Sequence, residues 1–144
     1  MPTFMNLLCP VDFSQTSRRA LSVACELAAA SHASLLIANV WEISLYGGAP
    51  LATSAKMQQT MFDSDSTLLA EWLAIARADG VPEARSQTLT GQPWDQIVKL
   101  AAEAPVNDLI VMGTHGRGMI AHALLGSVAE RVVRHAPCAV LVIR

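Results

Sequence analysis

The chain has 144 residues, of which 52% are hydrophobic and 15% charged, and its formal net charge is −2. This length suits one ordinary domain, expected to span residues 1–144, and the hydrophobic content excludes an intrinsically disordered segment. The slight negative charge excludes the broad basic surface that most nucleic-acid binding needs. The longest uncharged run, residues 27–41, is too short and too polar for a membrane span.

The N-terminal residues and the cysteines bear on the cellular compartment in which the protein is expected. The start, MPTFMNLLCPVDF, has no basic region followed by a cleavage signal, so no secretory signal is expected. Cys9, Cys25 and Cys138 are odd in number and lack CxxC spacing. This usage is typical of reduced cysteines rather than of a disulfide framework or a zinc site. We therefore expect a cytoplasmic protein.

Apolar runs alternate with helical patterns from the start of the chain. Residues 6–10 predict a buried strand, followed by a helix with Ser14 as its N-cap. Residues 34–40 predict a second buried strand. The segment from Glu42 to Ser66 has no clear period in its first half, so we expect a long loop that is functional or mobile. Closure of this loop over a ligand is a hypothesis.

Helical spacing returns at Met57 or Ser66 and continues to Asp79. Gly80 is placed for the left-handed conformation that often ends a helix, and Pro82 blocks continuation.

The next strand and helix have clear boundaries. Residues 84–90 are more polar and predict an edge strand, which Gly91 ends. Pro93 suits the first position of the following helix, because its missing N–H would be unbonded there. Pro105 ends that helix.

The last third contains two apolar strands around a glycine-rich loop. Residues 108–112 and 139–143 predict buried strands. Between them, residues 127–135 predict a helix, with Ser127 and Glu130 as a capping box.

Strands and helices therefore alternate as βαβαβαβαβ. Continuous apolar strands separated by helices are typical of a parallel sheet covered on both faces, and right-handed crossovers make the sheet doubly wound. We predict a five-stranded, Rossmann-like α/β domain. Ligands bind such sheets at the carboxyl ends of the strands, near the switch point. The segments after the first and fourth strands are thus the candidate site.

The segment GTHGRGMIAHALLGS, from Gly113 to Ser127, combines three features of a phosphate site. Its glycines allow close backbone approach to a ligand, Arg117 supplies a guanidinium, and a helix N-terminus follows. The segment is not a P-loop, because the chain has no Gly-Lys pair, and its GxxGxG order is not the dinucleotide fingerprint. A glycine-rich turn before an ordinary capped helix remains the alternative.

The spacing Gly113-x2-Gly116-x9-Gly126-Ser127 resembles the nucleotide-binding signature of the universal stress protein family, G-2x-G-9x-G-(S/T). The stretches LLCPVDFSQTSRRAL, TGQPWDQI, DLIVMGTHGRG and LLGSVAERVVRHAPCAVLVIR are also similar to that family. The resemblance covers essentially the whole chain and points to the ATP-binding subgroup.

The resemblance implies a sheet order of 3-2-1-4-5 and a site for ATP, with Mg²⁺ as its expected companion and no assigned metal ligand beyond Asp12 as a candidate. The ribose would contact Asp12. The phosphates would be held by Gly113, Gly116, Gly126, Ser127 and Val128, with His115 and Arg117 adjacent. The adenine would be lined by Pro10, Val11, Val40 and Met112.

The family resemblance also implies an assembly. The last strand, Ala139 to Ile143, would pair with its counterpart in a homodimer. The frequent P-C-P-V of the family is P-C-A-V here, so Ala139 restores a backbone donor and leaves the ligand site unaffected.

Several candidate residues have a plainer interpretation. Asp12 could simply cap the first helix, and Arg117 could be a solvated loop charge. His115 is better interpreted as a loop histidine bonded to backbone than as a catalytic base. Trp41, after the second strand, is a packing residue that could also approach the adenine.

The favoured function is a nucleotide-dependent regulatory protein of the stress response, acting on an unidentified protein partner with at most slow ATP turnover. One alternative is a ligand-independent dimeric adaptor. A weak nucleotide hydrolase or phosphotransferase is the other, but the only lysines, Lys56 and Lys99, are not placed for phosphoryl transfer.

Overall fold

A computed structural model describes residues 4–42, 45–46, 49–50, 55–115 and 125–144 of the chain. The elements in chain order are β1 (Asn6–Pro10), α1 (Gln15–Ser31), β2 (Ser34–Trp41), β3 (Leu45–Tyr46), β4 (Ala49–Pro50), α2 (Ala55–Ala78), β5 (Arg85–Thr90), α3 (Pro93–Ala102), β6 (Leu109–Gly113), α4 (Ser127–His135) and β7 (Ala139–Ile143). The five strands predicted from the sequence are confirmed, each within one residue at either end.

Five parallel strands form the main sheet in the order β5-β2-β1-β6-β7. Numbered among themselves, these strands have the predicted order 3-2-1-4-5, which is therefore confirmed. β1 lies at the centre, where Leu7 pairs with Leu35 on one side and with Leu109 on the other. The winding reverses between β1 and β6, so their carboxyl ends border the switch-point crevice.

Helices cover both faces of the sheet, as predicted. Side chains of a strand alternate between the two faces. Leu7 and Cys9 thus pack in the buried cluster that includes α1 and α2, whereas Leu8 packs in the cluster that includes α3 and α4. Each face of the central strand is therefore buried, which explains why its sequence is apolar without interruption.

Local signals in the sequence set several element boundaries. The Ser14 hydroxyl caps α1 by accepting from the amide of Ser17 at 3.2 Å. Gly80, just beyond α2, has a positive φ of 101°, and α3 begins at Pro93. The predicted roles of Ser14, Gly80 and Pro93 are confirmed.

The segment between β2 and β5 differs from the prediction. The long loop expected from Glu42 to Ser66 is wrong over its second half, because α2 begins at Ala55 and runs for 24 residues. Of the two predicted helix starts, Met57 is within two residues of the observed start, and Ser66 is wrong. The first half of α2 is rich in helix-forming Ala, Lys, Met and Gln, yet its side chains are largely exposed, with Met57 and Met61 each about half accessible. An exposed helix lacks the apolar stripe that reveals a period.

Before α2, the backbones of β3 and β4 pair as a short antiparallel two-stranded sheet that was not predicted. Gly47 and Gly48 lie outside the described residues. None of the helices in the described ranges combines the length and apolar character needed to cross a membrane.

Candidate functional site

A cavity of about 550 Å³ opens at the carboxyl ends of β1, β2 and β6. This position is the switch point of the sheet, and the volume is within the usual range for small-ligand sites. Its walls come from the β1–α1 turn, the end of β2, α2, α3, the end of β6 and the start of α4. The cavity is therefore assembled from segments that are far apart in the sequence.

Ten of the twelve residues predicted for the site line this cavity. They are Pro10, Val11, Asp12, Val40, Met112, Gly113, His115, Gly126, Ser127 and Val128. Gly116 and Arg117 lie outside the described residues, as does Gly118, so their contribution stays a prediction.

Other lining residues were missed in the sequence. Gln58, Met61 and Asp65 reach the cavity from α2, and they were missed because the start of that helix was left open between Met57 and Ser66. Asn39 was also missed, although a polar residue inside an apolar strand can be recognised from the sequence as a candidate functional residue. Trp41, which was considered for the adenine, does line the cavity.

The β1–α1 turn places Asp12 on the cavity wall. Its Oδ1 accepts from the amide of Ser14 at 3.0 Å, and its own amide donates to the Ser17 hydroxyl at 3.4 Å. The alternative that Asp12 caps α1 is wrong, because Ser14 is the N-cap. The Asp12 carboxylate thus supports the turn and borders the cavity at the same time.

The end of β1 is held by a buried side chain from β2. Asn39 is 5% exposed, and its Nδ2 donates to the carbonyl oxygen of Val11 at 2.9 Å. The amide of Val11 donates to the carbonyl oxygen of Ala38 at 2.8 Å. These bonds fix the backbone just before Asp12.

The segment after β6 is bonded to three other elements. The amide of Thr114 donates to the carbonyl oxygen of Ile143 at 2.8 Å, and the Thr114 carbonyl oxygen accepts from the amide of Gly126 at 2.6 Å. The carbonyl oxygen of His115 accepts from the Thr16 hydroxyl at 2.5 Å. These bonds therefore fix the backbone at the point where the glycine-rich loop begins.

The His115 ring has a partner beside it. Its Nδ1 lies 2.9 Å from the Thr114 hydroxyl, and either atom can be the donor, depending on the tautomer. This contact with a side-chain hydroxyl orients the imidazole at the cavity wall. The predicted bond of His115 to backbone stays a prediction.

The start of α4 differs from the predicted capping box, which is wrong. The N-cap is Gly126, with no side-chain capping bond, and Ser127 is the first helical residue. Glu130 is then one position too far along to complete a box, and it pairs with Arg134 at 2.8 Å. The amides of the first turn, including those of Ser127 and Val128, thus lack an intrahelical acceptor where they border the cavity.

The interior of the cavity wall is largely apolar. Met112 and Ile97 are 5% and 3% exposed, and they line it from β6 and α3 together with Val40 from β2. Carboxylates border the opening at Asp12, Glu42 and Asp65. One ligand could therefore meet an apolar wall, a carboxylate rim and a helix N-terminus.

The sulfur groups are not poised for nucleophilic chemistry. Cys9 is completely buried beside the β1 end of the cavity, and burial raises the pKa of its thiol far above the usual range. In the part of the chain that the structure describes, no three His, Cys, Asp or Glu side chains are grouped as metal ligands.

Comparison with known proteins gives a consistent match. The model of the universal stress protein family matches residues 3–144. A protein of Staphylococcus haemolyticus named for that family is 34% identical over 145 residues, covering 100% of this chain and 87% of the relative.

Solved structures of the same family superpose on the chain. Universal stress protein UspA from Lactobacillus plantarum has a TM-score of 0.88 at 27% identity, with 100% of both chains covered. A universal stress protein in complex with cAMP has a TM-score of 0.76 at 29% identity, covering 99% of this chain and 98% of that one. A family member from Archaeoglobus fulgidus in complex with dAMP has a TM-score of 0.68 at 25% identity, covering 99% and 100%.

Proposed function

The chain belongs to the universal stress protein family, and we propose that it is a nucleotide-dependent regulatory protein that binds ATP in the switch-point cavity. In this proposal occupancy of the cavity, rather than rapid chemistry, is the signal passed to a protein partner. Turnover of ATP is slow at most.

The start of α4 is the observation that carries the proposal. A helix N-terminus attracts anions through its free amides and its dipole. In many helices the N-cap side chain accepts from one of those amides, but Gly126 has no side chain to do so. The first turn also borders a cavity large enough for a nucleotide. We assign the phosphates to the amides of Ser127 and Val128, with Gly113, Gly116, His115 and Arg117 nearby.

The remaining walls suit a nucleoside. The apolar surfaces of Val40 and Met112 would accept the flat face of adenine, next to Pro10 and Val11. The Asp12 carboxylate would accept from ribose hydroxyls, a charge-assisted hydrogen bond. The cAMP and dAMP named with two similar structures support an adenine nucleotide as the ligand class.

Mg²⁺ would accompany ATP and offset its charge, which the carboxylates at the rim would otherwise oppose. The described lining contains one histidine and neither lysine nor arginine. Lys99 pairs with Asp95 at 2.8 Å on the exposed surface of α3, and Lys56 is an exposed residue at the start of α2. Phosphoryl transfer needs more positive charge at the γ-phosphate than these walls supply, which supports slow turnover.

We further propose a cytoplasmic homodimer that pairs through β7. This strand is at one edge of the sheet, and its apolar Leu141 is 37% exposed. Apolar edge strands tend to pair with another chain. Leu141→Lys should shift sedimentation from a dimer to a monomer, and a monomeric wild-type protein would contradict this assembly.

Thermal unfolding with and without Mg-ATP tests the binding proposal. Ligand at 100 times its Kd adds about 2.7 kcal/mol, which should raise Tm by about 5–10 °C for a chain of this size. Gly126→Val adds bulk at the α4 N-cap and should abolish the shift. Arg134→Gln, a control on the same helix, removes only an exposed ion pair and should keep the shift. Chromatography of nucleotide released on denaturation would show whether the protein purifies already loaded.

A lack of both a Tm shift and a released nucleotide would overturn ATP binding and favour the dimeric adaptor. Multiple turnovers with Mg²⁺ that depend on Arg117, His115 or Asp12 would instead favour the weak hydrolase or phosphotransferase.

A further inference from the structure

The residue after Asp12 has an unusual backbone. Phe13 has a φ of 64°, in the left-handed region that residues other than Gly, Asn and Asp rarely adopt. Among the described residues, His32 is the other non-glycine with a positive φ, and it occupies the C-cap of α1, where this conformation is common. Phe13 has no such explanation, and it adjoins a residue of the cavity wall.

An aromatic contact holds the Phe13 side chain in place and so supports this backbone conformation. The Phe13 ring packs edge-to-face against the ring of Trp72 on α2, with centroids 5.1 Å apart and an angle of 84°. Trp72 is 9% exposed and belongs to the buried cluster beneath α1 and α2, and Arg18 approaches its ring at 5.8 Å. A fixed aromatic pair of this kind can offset the cost of a strained backbone.

The strained turn lies inside the hydrogen bonds that hold Asp12. The amide of Ser14 donates to Asp12 Oδ1 at 3.0 Å, so this short ring closes across Phe13. Asp12 lines the cavity, whereas Phe13 packs with the core under α2. The left-handed φ of Phe13 therefore directs its ring towards the core, while the adjacent Asp12 side chain faces the cavity. It thereby determines the position of the Asp12 carboxylate.

We propose that Phe13 is a positioning residue for Asp12: its ring, anchored on Trp72, holds the backbone turn that presents the carboxylate to the sugar of a bound nucleotide. The ring thereby contributes to discrimination between ribose and a sugar that lacks its hydroxyls. This inference rests on the proposed function, in which Asp12 contacts the ribose hydroxyls.

The binding test compares Kd values for ATP and 2′,3′-dideoxy-ATP by calorimetry. The wild-type protein should prefer ATP by about 10- to 100-fold, the usual scale for hydrogen bonds to a charged group. Asp12→Asn should reduce this preference, and Phe13→Ala should reduce it to a similar value while leaving the affinity for the dideoxy nucleotide nearly unchanged. Phe13→Tyr keeps the aromatic ring and should retain the preference.

His32→Ala is the matched control, because it alters the other left-handed residue and should not change the ratio. His32 lies just before the amino end of β2, whereas the cavity lies at the carboxyl ends of the strands. If Phe13→Ala does not fold, Phe13→Leu and Trp72→Leu remove the ring pair while keeping apolar bulk. A wild-type ratio in a folded ring variant would overturn the proposal. An equal loss of affinity for both nucleotides would also overturn it, because the ring would then support the whole pocket.

A second measurement needs no ligand. The amide proton of Ser14 should change its NMR chemical shift when Asp12→Asn is introduced, because its acceptor is the Asp12 carboxylate. This response should be largely lost in Phe13→Ala and kept in His32→Ala. If the wild-type protein binds neither nucleotide, the proposed function fails, and this response still decides whether Phe13 positions Asp12: its loss supports the inference and its retention overturns it.

Discussion

Gly113 lies so close to Thr16 that a Cβ atom at position 113 would be 2.6 Å from the Thr16 hydroxyl and 2.8 Å from the Thr16 carbonyl carbon. It would also lie 2.9 Å from the amide nitrogen of Ser17. Two of these three atoms belong to the backbone and cannot rotate away. The glycine at the end of β6 is therefore required by the packing of the first turn of α1, whatever ligand the cavity binds.

We expect Gly113→Ala to destabilise the protein by about 1–3 kcal/mol, the usual cost of an overpacked site. Urea unfolding measures this. Adding Thr16→Ala should restore only part of the loss, because the backbone contacts remain. Full restoration by the second substitution would show that the hydroxyl alone causes the conflict.

Thr16→Val should lower the free energy of unfolding by about 0.5–1.5 kcal/mol, because it removes the hydrogen bond to the His115 carbonyl oxygen. Thr60→Val is the matched control, since the Thr60 hydroxyl donates to the Lys56 carbonyl oxygen on the exposed surface of α2. Its effect should be clearly smaller. Equal effects in urea unfolding would mean that the Thr16 bond does not stabilise the cavity wall.

Asn39→Leu should destabilise the protein by about 1–3 kcal/mol, because the carbonyl oxygen of Val11 would lose its buried donor. It should also weaken ATP binding, since Val11 and Asp12 adjoin. Asn107→Leu removes a comparable buried bond, from Asn107 Nδ2 to the Leu100 carbonyl oxygen at 3.3 Å. That control should cost stability while sparing ATP affinity in calorimetry. Similar losses of ATP affinity in both variants would contradict a local role for Asn39.

Stability should fall in alkaline solution through the buried thiols. Burial raises the pKa of Cys25 from 9.0 to about 11, with the Asp79 carboxylate adding to the effect. The folded state thus holds this proton more tightly than the unfolded state. The stabilisation is complete below pH 9 and is lost as pH rises towards 11, with a slope of at most about 1.4 kcal/mol per pH unit for each thiol.

Urea unfolding at pH 7, 9 and 10.5 tests this expectation. Cys25→Ala should show a shallower decline across the alkaline range than the wild-type protein. Parallel curves would mean that other groups cause the decline.

Much of the fold could be predicted because each strand carries its own signal. The apolar run of residues 108–112 predicts a buried strand, and β6 lies there. Ser14 and Pro93 indicate helix starts through their own side chains.

The start of α2 was left open between Met57 and Ser66, because exposed residues such as Met57 do not form an apolar stripe. The range of α4 was predicted correctly, but its N-cap was placed one residue late, at Ser127, because the true cap, Gly126, has no side chain to reveal it.

The candidate site was predictable only where it follows the strands directly. Asp12 and Met112 lie at strand ends, which topology alone brings together. Asp65 and Gln58 reach the cavity through the length and direction of α2, which depend on packing between distant parts of the chain. The left-handed backbone of Phe13 is likewise a product of the folded environment, since no local rule favours phenylalanine there.

The central place of β1 affects how the chain is made. Its partner β2 follows closely in the sequence, but its other partner, β6, is separated from it by most of the chain. At a synthesis rate of about 5–20 residues per second, one edge of β1 stays open for several seconds after β2 has emerged from the ribosome. That edge exposes unpaired backbone groups of a strand whose side chains, including Leu7 and Leu8, are apolar on both faces. Nascent chains arrested before Leu109 should therefore be the form that aggregates or recruits chaperones.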